Sequence, residues 1–114
     1  MKIPNFFIGP MSKNIVDAIV EFSIEFDKVV GLIPSRRQVD HVGGYVNNWN
    51  TKEFCNYIRN KSNNILLVRD HGGPSQGKND DDGLESFIED CKYFDVVHLD
   101  VWKKHKNYIE GLEK

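Results

Sequence analysis

The sequence has little cysteine and little proline: two and four residues respectively in 114. Cys55 and Cys91 lie in separate segments with helical patterning, and nothing resembling a secretory signal precedes them. A disulfide-stapled secreted fold is therefore excluded, and two reduced core thiols in a cytoplasmic protein are expected. Long apolar runs are also missing. The longest is a few residues, against about 20 needed to cross a bilayer, so no membrane span is expected. No sign of charge dominates either: fifteen basic and seventeen acidic residues are spread along the chain for a net charge of -2. That balance leaves no broad footprint for nucleic acid or an anionic membrane, so any anion site has to be local. There is no proline-rich linker and no low-complexity stretch to divide the chain.

What is present describes one folded unit, residues 1–114, with 39% hydrophobic, 28% charged and 11% aromatic residues. Apolar runs rich in branched and aromatic residues recur at Ile3 to Ile8, Val29 to Ile33, Ile65 to Val68 and Val96 to Leu99. They are continuously apolar, as strands covered on both faces of a parallel sheet are. Between them the period changes to that of helices. Ser12 to Phe26 places Ile15, Ala18, Ile19, Phe22 and Phe26 on one side. Thr51 to Lys61 opens with Asn50 and Glu53 at capping-box spacing and directs Phe54, Cys55 and Ile58 to the sheet. A third helix after Asp82, with Glu85 three positions later, is expected to bury Leu84, Phe87, Ile88 and Cys91. A short fourth, Lys103 to Leu112, has an apolar face of Tyr108, Ile109 and Leu112. The fold class is α/β: four consecutive β/α units with parallel strands, forming either an open doubly wound sheet or part of a closed eight-fold barrel. The chain supplies roughly half of the about 250 residues of a complete barrel.

The polar residues that do not suit a core follow the strands, where parallel α/β folds bind ligands. After the second strand, Arg36 and Arg37 precede Gly43-Gly44-Tyr45-Val46-Asn47-Asn48. This reads as a flexible loop offering guanidinium groups to a phosphate and amides to sugar hydroxyls, or as a solvated turn. After the third come Arg69-Asp70-His71-Gly72-Gly73-Pro74. An imidazole there can bind a divalent metal, the carboxylate beside it can move a proton, and Gly72 and Gly73 let a ligand approach the backbone. The alternative is a turn in which Asp70 caps an amide. After the fourth, alternation puts His98 and Asp100 on one side of the strand. His98 suits a satisfied core histidine as well as a ligand, and Asp100 suits metal or hydroxyl contact. The run Asp80-Asp81-Asp82 reads as a solvated loop with a helix cap.

The stretch from Leu32-Ile33-Pro34-Ser35 through Gln38-Val39 to Gly43-Gly44-Tyr45 carries a resemblance, together with Thr51-Lys52-Glu53-Phe54, Arg69 to Pro74 and Val97-His98-Leu99-Asp100. In order and spacing it resembles the first half of tagatose-bisphosphate aldolase subunits of the GatZ type, over roughly residues 29–102. The resemblance implies half of an aldolase-type (β/α)8 barrel and carbohydrate metabolism, with a sugar phosphate as ligand. It implies Asp70 as the proton-transferring acid, His71 and Asp100 at a divalent metal such as zinc, and Arg36, Arg37, Asn47, Asn48, Gly72 and Gly73 around the substrate. Subunits of this type are regarded as non-catalytic partners of the aldolase, and the catalytic relatives draw further histidine ligands from later strands. Aldol cleavage, an accessory or ligand-binding role, and sugar-phosphate isomerisation or epimerisation are thus the functions expected. A half-barrel also exposes sheet edges and an apolar flank, so a homo-oligomer or a completing barrel half is expected as partner.

Overall fold

The computed structural model describes residues 3–100. The fourth helix expected at 103–112, with His105, lies outside them. Within them, four strands form one parallel sheet: β1 (Phe7–Ile8), β2 (Val30–Leu32), β3 (Ile65–Gly72) and β4 (Val96–Leu99). Their spatial order is β1-β2-β3-β4, with Phe7 opposite Gly31, Leu32 opposite Leu67 and Val68 opposite Val96. Each described strand therefore lies beside its sequence neighbour, and no reversal of order creates the switch point of a doubly wound sheet.

Local chemistry starts the connecting helices. At α1 (Lys13–Glu25), Ser12 Oγ accepts the Ile15 amide at 3.3 Å. At α2 (Thr51–Arg59) the capping box is complete: Asn50 accepts from the Glu53 amide at 2.8 Å, and Glu53 from the Asn50 amide at 3.0 Å. α3 (Leu84–Tyr93) departs from expectation. Its N-cap is Gly83 in a left-handed conformation with no side-chain cap, and Asp82 instead accepts the Leu84 amide at 3.0 Å.

α1 and α2 share one core with alternate strand residues, against which α3 packs only the half-buried Tyr93. Val16 and Val20 from α1 and Phe54, Cys55 and Ile58 from α2 pack with Val30, Leu32, Ile65 and Leu67, and Phe94 joins them just after α3. The buried face of α1 is Val16, Val20 and Ser23; Ile15, Ile19 and Phe22 are half-buried, while Ala18 and Phe26 are exposed. On α3 the expected apolar face is turned outward. Leu84, Ile88 and Cys91 are exposed, Phe87 is half-buried, and the buried positions are Ser86 and Asp90. Only Cys55 of the two thiols is a core residue, and burial pushes its pKa up to about 12.

The reason for the rotation of α3 is Arg69. This β3 side chain points into the helix layer, fully buried, where it donates from Nε and Nη2 to the two oxygens of Asp90 at 2.9 and 3.0 Å. It also donates to Pro34 O at 3.3 Å and lies 4.7 Å from the Phe94 ring centroid. A buried guanidinium needs that carboxylate, so α3 presents Asp90 to the sheet rather than Leu84 and Ile88.

Candidate functional site

β3 runs past Val68 to Gly72, so Asp70 and His71 stand on the strand rather than after it. Pairing with β4 becomes irregular between Arg69 and Gly72, and His71 has a positive φ of 47°. Asp70 is anchored by its amide, which donates to Pro34 O at 3.0 Å, and β4 is held by the Asp100 amide on Gly72 O at 2.7 Å. These contacts bring four polar side chains to one strand end. His71 Nε2 is 3.5 Å from Asp70 Oδ1, His98 Nδ1 is 3.9 Å from the same oxygen, and His71 Nδ1 is 3.2 Å from Asp100 Oδ2. The two imidazoles meet edge to face with centroids 5.3 Å apart.

The donor set suits a divalent ion such as zinc, which accepts imidazole nitrogen and carboxylate oxygen. One ligand atom from each of Asp70, His71 and His98 lies within 4.8 Å of the others. Asp100 stands behind His71 on its other ring nitrogen. A carboxylate so placed fixes the imidazole's orientation and leaves Nε2 facing Asp70. Asp70, His71 and His98 thus form the close group, while Asp100 lies outside it, against the other ring nitrogen of His71. Alternation along β4 had already put His98 and Asp100 on one side. The His98 Nδ1 lone pair is also within 3.4 Å of the His71 amide and accepts from it.

The other expected site residues are elsewhere. Arg36 is buried, and its guanidinium donors are all engaged: Nε with Asp40 at 3.1 Å, Nη1 with Gly73 O at 2.7 Å and Asp81 at 2.8 Å, Nη2 with Asp81 at 2.6 Å and Asp40 at 3.0 Å. It ties the two loops together and has no donor left for a phosphate. Burial would lower its pKa, but Asp81 and Asp40 outweigh that and hold it above its ordinary value. Arg36 in turn holds Asp81 below the usual carboxylate range, against partial burial. Asp40 is pushed up by burial, but Arg36 and His41 outweigh that and keep it low as well. Asp81 is therefore not a solvated loop residue; its partner lies 45 positions away, a separation no local pattern reveals. Gly72 and Gly73 are buried, and their missing side chains make room for protein rather than ligand. A Cβ on Gly73 would come within 2.9 Å of Asp100 O, and one on Gly72 within 3.2 Å of His98 O.

The loop after β2 is closed by backbone hydrogen bonds of its own. The Tyr45 amide donates to Arg37 O and the Val46 amide to Gln38 O, both at 3.0 Å. Gly44 allows this close return, since a Cβ there would lie 2.1 Å from Gln38 O. The loop borders a cavity of about 690 Å3 whose walls include Arg37, Tyr45, Asn48 and Lys78. Asn47 is exposed, with a positive φ of 53°, and does not line it. Neither do Asp70, His71, His98 or Asp100, so the residues expected around a single substrate divide between a strand end and a loop cavity.

A scan against protein-family models matches none of them, and a search of the curated proteins also returns no match. The class established by the structure is that of an α/β protein with four parallel strands in one sheet and a carboxylate–imidazole group at the carboxyl ends of β3 and β4. Among the described residues no helix is long and apolar enough to cross a membrane.

Proposed function

We propose that this chain acts in carbohydrate metabolism as the amino-terminal half of an aldolase-type (β/α)8 barrel, handling a sugar phosphate at the carboxyl ends of β3 and β4. The observation that carries this reading is the convergence of Asp70, His71, His98 and Asp100 at one strand end. The unreversed strand order and the helices gathered on one side of the sheet support the barrel. The opposite face, where Phe7 is 45% and Val96 40% exposed, is the surface that a second copy or a completing barrel half would cover.

His71 and His98 are the residues that would hold a zinc ion, with Asp100 orienting His71. Bound there, the metal would polarise a substrate carbonyl and stabilise negative charge developing on it. Asp70, part-exposed beside both imidazoles, is the group that takes a proton from the carbon next to that carbonyl or from a hydroxyl. Equilibrium dialysis of the full chain against zinc, followed by an aldol-cleavage assay on ketose bisphosphates, tests the reading. Stoichiometric zinc that is lost in His71→Ala and His98→Ala is the expected result, and absence of stoichiometric zinc overturns it. Asp70→Asn should keep the metal and lose turnover; loss of the metal instead makes Asp70 a ligand.

One observation favours a non-catalytic, partner-stabilising module as the second reading. His71 and His98 are more than half exposed, and His98 Nδ1 already accepts a backbone hydrogen bond. Absence of stoichiometric zinc together with no cleavage of any ketose bisphosphate selects that module.

A further inference from the structure

We propose that the cavity between the loop after β2 and the loop before α3 is a separate binding site for a small phosphate monoester, with Arg37 and Lys78 as the partners of the phosphate. The inference goes beyond the strand-end reading and does not depend on it, because none of the strand-end residues lines the cavity.

Charge is the first argument. The two carboxylates in the cavity wall, buried Asp40 and part-exposed Asp81, are both paired with Arg36, and Arg36 is engaged by them. The cations that remain in the wall are Arg37 and Lys78. Neither side chain has a hydrogen-bond or ion-pair partner among the described residues, although ionic pairs occupy the wall around them. Both line one concavity, and an oxyanion bound there offsets their positive charge. A guanidinium fork matches two phosphate oxygens, and an ammonium supplies a point charge to a third.

Preorganisation is the second. Arg37 projects from main chain held by the Tyr45 amide on Arg37 O, and Gly44 closes the same turn by donating to Trp49 O at 3.2 Å. The opposite wall is pinned by Asp81, which holds Arg36 and accepts the Ser75 amide at 3.2 Å. Because Arg36 bridges the walls, the cavity exists before a ligand arrives, and little ordering is left to oppose binding. Size and polarity complete the match. About 690 Å3 falls within the roughly 300–1,000 Å3 typical of small-molecule sites. Beyond the cations, the Asn48 amide and the Tyr45 hydroxyl, which makes only a weak 3.8 Å approach to Met11 Sδ among the described residues, suit the hydroxyl groups of a sugar. The same phosphate chemistry is carried by sugar phosphates and by nucleotides.

Calorimetric titration of the full chain with inorganic phosphate, a hexose 6-phosphate and a nucleoside 5′-monophosphate tests the assignment. Saturable binding of at least one of the three is expected, and the tighter of the two esters identifies the carrier of the phosphate. Arg37→Ala and Lys78→Ala should each weaken binding by roughly tenfold or more, with Arg37→Lys recovering part of the loss. Both side chains are exposed, so these variants should keep the parent's thermal midpoint. His71→Ala should bind as the parent does. Absence of saturable binding for all three probes overturns the proposal. So does undiminished affinity in both alanine variants, and so does loss of binding in His71→Ala, which would move the anion to the strand end.

Discussion

Arg69 and Asp70 are neighbours on β3, and their surroundings could hardly differ more. Arg69 points into the helix layer, fully buried, with its charge matched by both oxygens of Asp90 and its face against Phe94. Asp70 points to the other side of the sheet, part-exposed, with two imidazoles near one of its oxygens. The period of two along a strand sends them apart. The difference shows how one run of charged residues divides its labour: the member facing the helices is committed to holding the fold, and the member facing away remains open to chemistry. The Arg36 cluster stands between these extremes, buried like Arg69 but linking loops rather than sheet and helix.

This contrast can be broken by stability measurements. Arg69→Ala strands a buried Asp90 and should cost about 3–5 kcal/mol in urea unfolding, the largest effect expected in the molecule. A cost comparable to that of Asp70→Ala would erase the distinction between the two faces. Arg36→Ala should cost somewhat less, about 3 kcal/mol, because Asp81 is part-exposed and water can solvate it.

Acid sharpens the comparison further. Asp40 and Asp81 have folded-state pKa values below the ordinary 3.8, so they stabilise the fold above that value and lose the contribution as pH falls through their folded values. Asp90 runs the other way: burial raises its pKa against the pull of Arg69, so by linkage its protonation favours the folded state as pH falls. Urea midpoints should therefore fall steeply below about pH 4, and Arg36→Ala should flatten that fall. A fall of equal steepness in Arg36→Ala would place the acid-sensitive groups elsewhere. The smallest effects belong to the open face. Asp70→Asn and His98→Ala should each change stability by no more than about 0.5 kcal/mol. If His71 binds zinc, Asp100→Asn should lower zinc affinity by about 10–100-fold in a competition titration, with the unfolding midpoint nearly unchanged.

The elements most legible in the sequence were those written in a few adjacent residues. Asn50 and Glu53 announced the start of α2, and Phe54, Cys55 and Ile58 its buried face, because capping and helical period act within one or two turns. The outward face of α3 was not legible. Its apolar residues suggested a core, but the sheet supplied a buried Arg69, and Asp90, 21 positions away, had to answer it. The candidate site divided the same way. His71 and Asp100 could be placed together from strand order, while the commitment of Arg36 to Asp81 and the role of Lys78 beside Arg37 required two loops to be seen folded against each other.

By itself, then, the order of residues determined where strands and helices alternate, that the strands run parallel, and that polar side chains gather at their carboxyl ends. Tertiary structure alone decided which charges are consumed by the fold and which are left facing a cavity. Backbone periodicity and capping are settled by neighbours along the chain, whereas the fate of a charge is settled by whichever opposite charge the folded chain brings within hydrogen-bonding distance.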